Sequence, residues 1–333
     1  MKEPIDFVVT WVDGADPEWR AQKRIYSPES LSDDREERYR DWDLLRYWFR
    51  GVEKFAPWVR TIHFVTWGHL PPWLNTDNPR LHIVNHRDYI PQEYLPTFNC
   101  NALELYLHNI EGLSENFVYF NDDVFCLQPL KKEDFFRNGK ACDMLAFQPV
   151  IANHHNPVMS HMLLNNSLVL AKYFDKRENV RQQPAAYFHP GYPLLYLGYN
   201  LLELGFHWYT GLYTVHGPFP LCRQTFRAVW ERESPVLRQT MAARFRSRED
   251  VTLYLFREWQ KLSGNFTPRN VHRDLAYYNA GQQEEQMLQA IRKQQRKFLC
   301  INDANHPIDF DRTRNRVREA FDQILPEPCS FER

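Results

Sequence analysis

The sequence predicts an α/β fold carried by a mostly parallel sheet. Three observations lead there. Over the first 150 residues, short β-branched and aromatic runs alternate with stretches of helical spacing. Hydrophobic residues make up 43% and aromatic ones 15% of the 333, enough for a substantial core and unlike a disordered chain. Several apolar runs end directly in acidic residues, as strands do at the ligand-binding edge of an open sheet. At roughly 100–200 residues per domain, the length suits one large domain or two of ordinary size.

The elements follow in order. Residues 5–12 form a mostly apolar run, a buried strand that Asp13 and Gly14 break. A polar, charged stretch continues through about Arg40. Between 43 and 54, Leu44, Leu45, Trp48, Phe49 and Val52 recur at helical spacing, and Pro57 stops that helix. Residues 61–66 and 81–85 read as the second and third strands, and 99–110 as a helix. A fourth strand, 117–120, ends at Asn121, Asp122 and Asp123. The chain thus divides into an α/β core over 1–142, an irregular middle insertion over 143–213 and a helical, Arg-rich portion over 214–333. The insertion is rich in His, Asn, Pro and Tyr, with weak periodicity, and reads as a lid.

The net charge is −1, from 41 Lys and Arg against 42 Asp and Glu. That balance excludes a general nucleic-acid coat and a polybasic membrane binder. Residues 221–320 alone carry +7 against −8 for the remainder. A basic part against an acidic one suits a cleft that holds an anion, although solvated helix faces give the same count. No apolar run approaches the ~18–20 residues of a transmembrane helix, and no signal-peptide core precedes residue 5. The cysteines Cys100, Cys126, Cys142, Cys222, Cys300 and Cys329 are widely spaced, with no C-x-x-C pair, and resemble neither a zinc site nor a disulfide framework. The expectation is a soluble protein of a reducing cytoplasm, with no transmembrane segment.

Chemistry concentrates at a few points. Asp122 and Asp123 directly follow an apolar strand, where adjacent acids repel unless a cation intervenes; their hard oxygens suit Mg²⁺ or Mn²⁺. The pair resembles the Asp-x-Asp metal site of nucleotide-sugar glycosyltransferases with altered spacing, and it also suits a turn that merely caps a strand. Asn302 and Asp303 follow the apolar run 298–301 as a second strand-then-acid edge, either a further metal ligand or a cap. His216, held in a His-Gly-Pro turn, is a candidate base, with Arg223, Arg246 and Arg248 close behind it as candidate phosphate forks. His154, His155 and His161 lack partners at ligand spacing and read as surface or acceptor contacts.

Together these segments resemble the Stealth family of capsule polymerases and lysosomal-enzyme N-acetylglucosamine-1-phosphate transferases. The first region is IDFVVTWVDGADPEW over residues 5–19. The second runs from Arg38-Tyr39-Arg40-Asp41 through Leu45-Arg46-Tyr47, Ala56-Pro57-Trp58-Val59-Arg60 and Leu95-Pro96-Thr97-Phe98-Asn99 to Asn121-Asp122-Asp123-Val124-Phe125. The third comprises His216-Gly217-Pro218, Arg223 and Arg246-Ser247-Arg248-Glu249-Asp250. The fourth comprises Cys300-Ile301-Asn302-Asp303 and Leu325-Pro326-Glu327-Pro328-Cys329-Ser330-Phe331-Glu332.

The resemblance implies a Rossmann-like, glycosyltransferase-A-like fold and transfer of a sugar-1-phosphate, N-acetylhexosamine-1-phosphate above all. The donor would be a UDP-sugar, the acceptor an oligosaccharide or polysaccharide hydroxyl, and the products a phosphodiester and UMP, in capsule or cell-surface polysaccharide synthesis. It places Mg²⁺ (or Mn²⁺) at Asp122, Asp123, Asn302 and Asp303. Catalytic roles fall on His216 as base, Asp122, Asp123, Arg223 and Arg246. Substrate contacts fall on Trp11, Asp13, Gly14, Asp41, Arg46, Asn99 and Asn121. Acceptor chemistry would be met near the inner membrane surface, through partners. The rival readings are a conventional metal-dependent glycosyltransferase releasing UDP and an inactive carbohydrate-binding scaffold; nucleic-acid binding lacks any recognition motif.

Overall fold

A computed structural model describes residues 3–27, 40–154, 156–303 and 308–333. Arg38, Tyr39, His155 and most of the charged stretch before Arg40 lie outside the described residues. The central sheet has the order β3-β2-β1-β4-β8. Strands β1 (Ile5–Thr10), β2 (Ile62–Thr66), β3 (Leu81–Asn85) and β4 (Asn116–Asn121) run parallel, and β8 (Phe219–Cys222) pairs antiparallel with β4. A second sheet joins β10 (Leu275–Asn279), β11 (Phe298–Asn302) and β5 (Val124–Cys126); a third joins β6 (Phe136–Arg137), β7 (Lys140–Asp143) and β9 (Phe266–Pro268). The four strands expected before residue 143 are all present, within one or two residues of their expected ends.

Twelve α-helices pack around these sheets among the described residues. Before the middle segment lie α1 (Pro17–Tyr26), α2 (Leu45–Phe55), α3 (His86–Tyr89) and α4 (Cys100–Leu105). The middle holds α5 (Pro157–Tyr173), α6 (Lys176–Gln182), α7 (Pro184–Tyr187) and α8 (Leu194–Glu203). After it come α9 (Arg223–Ala242), α10 (Leu253–Leu262), α11 (Glu284–Arg292) and α12 (Phe310–Asp322). The helix expected over 99–110 is shorter: α4 ends at Leu105 and a 3₁₀ turn, Leu107–Asn109, follows.

The central sheet is buried on both faces, so its strands divide their side chains between two cores by the period of two. Ile5, Phe7 and Val9 of β1, with Val118 and Phe120 of β4, enter the core shared with α2, α11 and α12. Val8, Phe117 and Tyr119 enter the opposite core, with α4, α9 and α10. Helix α2 approaches β5 so closely that a Cβ on Gly51 would stand 2.9 Å from the Cys126 carbonyl oxygen. Its outer side is closed by residues far along the chain. Phe331 packs on Phe49 with ring centroids 5.2 Å apart, and Arg50 donates to both Glu332 carboxylate oxygens at 2.6 and 2.8 Å.

The segment 143–213, expected to be irregular, is instead mainly helical. Its apolar residues are spread around α5 rather than gathered in a stripe, so no amphipathic signature marks that helix in sequence. Helix α8 does gather its leucines in a stripe but turns it outward, with Asn200 and Glu203 inward. The portion after 214 contains the expected helices, and it also supplies β8, β9, β10 and β11.

Candidate active site

Strand register builds the site. In the parallel pair β1·β4, Thr10 lies opposite Asn121, so the residues after each strand emerge side by side at one sheet edge. In the antiparallel pair β4·β8, Tyr119 lies opposite Phe219, and continuing that register sets His216 opposite Asp122. Strand β11 closes a third side: Cys300 pairs with Val124, and the Ile301 amide donates to the Asp123 carbonyl at 2.9 Å. Four segments that are distant in sequence therefore converge on Asp122 and Asp123.

His216 Nε2 lies 3.1 Å from Asp123 Oδ2 and 3.4 Å from the Asn121 amide nitrogen, and its Nδ1 lies 3.3 Å from the Tyr254 hydroxyl. Burial alone would lower the His216 pKa, but the charge and hydrogen bond of Asp123 outweigh it and raise the imidazole above its ordinary value. The Cys300 thiol lies 3.5 Å from Asp123 Oδ2, and burial beside that carboxylate holds it well above the ordinary thiol range. Asn121 accepts from the Tyr119 hydroxyl at 2.8 Å; that hydroxyl is also within hydrogen-bond distance of Thr10 and Glu104.

Asp122 is reached by water from the open side of the site, yet protein crowds it closely. Desolvation first, then the charges of Asp123 and Asp41, raise its carboxyl to about 7. Such a stack of acids fits a divalent cation. Asp123 Oδ1 is buried without a hydrogen-bond partner, and ligand atoms of Asp123, His216 and Cys300 lie within 4.8 Å of one another. Among the described residues this is the one cluster of three ligand-type side chains; His154 and His161 join none.

Asp41 connects this point to a cleft of about 710 Å³. Asp13 and Gly14, beyond β1, line it together with Asp41. Six cations line much of the rest, with Ala15, Trp19, Ser27 and Asp43 between them: Arg20, Lys23 and Arg24 from α1, Arg40, and Arg314 and Arg318 from α12. Arg20 donates to the Gly14 carbonyl, Arg318 pairs with Asp43 at 2.9 Å, and the buried Arg314 Nε has no hydrogen-bond partner. These cations are not among the site residues expected from the sequence. Their signal is present as charges at i, i+3 and i+4 on α1 and at i, i+4 on α12, a spacing that puts them on one helix face. Cys300 and Tyr254 are likewise unexpected, because only the tertiary fold brings them to His216.

Several expected site residues lie elsewhere. Arg223 sits at the opposite end of the sheet, where its amide donates to the Glu115 carbonyl and its guanidinium to the carbonyls of His108 and Leu113. Trp11 is buried with its ring 5.7 Å from Phe64, in the core rather than against a nucleotide. Asn99 is wholly buried, and its amide nitrogen donates to Asp250 and to the Ala243 carbonyl. Arg46 turns onto the Trp73 ring, 5.4 Å away, and does not line the cleft. Asp303 is held by Arg40 at 2.5 and 3.1 Å and by the Trp42 indole at 3.2 Å, and the Asn302 amide donates to Asn279 at 2.7 Å. Both residues of the fourth region thus have protein partners of their own, and neither joins the cluster of Asp123, His216 and Cys300. Arg246 donates to the Cys100 sulfur at 3.1 and 2.6 Å and acts on His216 through its charge.

Conserved region 1 of Stealth proteins matches residues 3–31, and conserved region 2 matches residues 38–143. The chain is 40% identical to the capsular polysaccharide phosphotransferase WcwK of Streptococcus pneumoniae, covering all of both chains. It is 37% identical to the receptor polysaccharide phosphotransferase WefC of Streptococcus oralis, over 98% of this chain and 99% of that one. It is 34% identical to the exopolysaccharide phosphotransferase cps2G of Lactiplantibacillus plantarum, over 99% of this chain and 96% of that one. With both conserved regions in place and full-length identity at this level, the chain belongs to the Stealth family.

Proposed function

We propose that this phosphotransferase of polysaccharide synthesis moves a hexose-1-phosphate from a UDP-sugar to a sugar hydroxyl of a growing saccharide. The observation that carries the reading is the meeting of His216 with Asp123 beside a cation-lined cleft. The family's polysaccharide phosphotransferases supply the reaction class. The nucleotide would lie against Asp13 and Gly14, with its diphosphate among the cations of α1 and α12, whose guanidinium forks match phosphate oxygens.

The acceptor hydroxyl would give its proton to the His216 imidazole, whose Asp123-facing nitrogen keeps its own proton, as its oxygen attacks the β-phosphorus. The bond from that phosphorus to the bridging oxygen then breaks, and UMP leaves with the electron pair. The sugar–oxygen bond is untouched, so the anomeric configuration is kept. A divalent cation held by Asp122 and Asp123 would offset charge on the phosphate oxygens. The unpartnered Asp123 oxygen supports that assignment. Arg246, on the same side as His216, would steady the transferring phosphate.

The test is incubation with UDP-N-acetylglucosamine, Mg²⁺ or Mn²⁺ and a panel of saccharide acceptors, followed by ³¹P NMR. UMP with a new phosphodiester resonance is expected. UDP without a phosphodiester would make the protein a conventional glycosyltransferase.

A further inference from the structure

Helix α8 is inverted relative to an ordinary surface helix. Its polar residues Asn200 and Glu203 are buried, while Leu194, Leu195, Leu201 and Leu202 project from the outer face with 61 to 85% of their surface exposed. These positions recur at i, i+1, i+7 and i+8, so they share one stripe. Gly198, midway along the stripe, has nothing within 4 Å of where a Cβ would stand. The turn that follows continues the same character, with Leu204, Phe206 and Trp208 all exposed.

This pose is built into the fold. The buried Lys176 ammonium lies 2.7 to 3.3 Å from four acceptors: the Glu203 carboxylate and the backbone carbonyls of Glu203, Phe206 and Trp208. The Thr210 hydroxyl donates to the other Glu203 oxygen at 2.5 Å. One interior cation thus pins the backbone of the turn, and the rings of Phe206 and Trp208 are left facing outward.

The composition of the face decides what covers it. Between residues 190 and 213 the sequence holds a single charged side chain, Glu203, and that one is buried against Lys176. A stable protein interface uses about 20–30 residues a side and roughly ten hydrogen bonds. This face offers seven apolar side chains and one polar one, His207. Leucine is also under-represented among residues that anchor protein interfaces. Leucines flanked by Trp and Phe are instead what the boundary between lipid headgroups and acyl chains accepts, where no hydrogen-bond partner is needed. At ten residues, α8 is about 15 Å long, half of a bilayer's ~30 Å core, so it lies along a membrane and does not span one.

We infer that α8 and the turn after it dock this protein on a phospholipid bilayer surface. The docking depends on apolar insertion and needs no anionic lipid. Eight residues after Trp208 the chain reaches His216.

The experiment is flotation of the full chain with phosphatidylcholine vesicles at low and high salt. Wild-type protein should float with the vesicles at both. A variant carrying Leu201→Ser, Leu202→Ser, Phe206→Ser and Trp208→Ser should lose the bound fraction by about tenfold or more. A second variant with Leu194→Ser and Leu195→Ser guards against misfolding of the first and should also bind less. Both should keep the wild-type circular dichroism spectrum and turnover with a water-soluble acceptor. Wild-type protein that stays unbound, variants that float equally well, or flotation confined to low salt and anionic lipid would each overturn the inference. A dimer broken by the same substitutions, without flotation, would assign the face to a second copy.

Discussion

His216 Nε2 stands 3.1 Å from Asp123 Oδ2, although the two residues are 93 positions apart in the chain. The contact joins a base to a carboxylate whose other oxygen is buried and unpaired. One side of Asp123 thus orients the imidazole, while the other is left for a cation. That division of labour makes the two residues separable by mutation.

Replacing His216 with alanine should lower turnover by roughly 10²–10⁴-fold, the range a positioned base contributes. Donor affinity should stay within about threefold, because the cations of the cleft are untouched. Steady-state kinetics together with calorimetric titration of the nucleotide measure both. Normal turnover in the variant would remove His216 from the mechanism.

Asp123→Asn keeps the size of the side chain and removes its charge. It should weaken Mn²⁺ binding by about tenfold or more, read by titration calorimetry without any turnover. Chelation of the wild-type protein should abolish turnover, and added metal should restore it. Unchanged metal affinity in the variant would place the cation elsewhere.

Arg223→Gln separates structure from chemistry. The guanidinium bridges two carbonyls at the far end of the sheet from His216, so its loss should cost on the order of 1–3 kcal/mol in urea denaturation. Turnover of the folded variant should remain within about threefold of wild type. A loss of turnover without a loss of stability would count against this assignment.

Asp6 gives a pH signature that is independent of the reaction centre. Burial would raise its carboxyl, but hydrogen bonds from Arg60, His63 and the Ser114 amide outweigh that and hold it at about 2, below the ordinary 3.8. The carboxylate therefore stabilises the fold above its ordinary pKa, and the contribution fades as pH falls from about 4 toward 2. The shift corresponds to at most about 2.5 kcal/mol, less whatever water screens at Arg60, whose side chain is 44% exposed. The stability difference between wild type and Asp6→Asn should narrow over that interval; a difference independent of pH would rule the linkage out.

The elements that could be read from the sequence are those whose burial follows a simple period. Strands β1 to β4 are apolar runs bounded by turns, and α2 repeats its large side chains at helical spacing, so each was legible locally. The meeting of His216 with Asp123 was not, because it depends on the register of β8 against β4, and nothing local encodes that register. The same holds for Cys300, delivered by β11. Arg223, Asn99 and Trp11 are chemically apt for a nucleotide-sugar site, yet backbone carbonyls, Asp250 and Phe64 respectively claim them. Helix α5 escaped detection because its apolar residues gather on no face, and α6 and α7 are too short to show a period; α8 carries a leucine stripe over only ten residues, and that stripe points out.

The closure of α2 by Phe331 and Glu332 constrains how the protein is made. Translation delivers α2 early, at about 5–20 residues per second, but its outer side has no cover until the ribosome has passed residue 332. Arg314 and Arg318 likewise reach the cleft only after α12 emerges. Throughout most of synthesis the nascent chain therefore carries an unsealed aromatic helix and a cleft that lacks two of its six cations. Ribosome stalling before that point would leave a species suited to chaperone capture, with the cleft still unfinished.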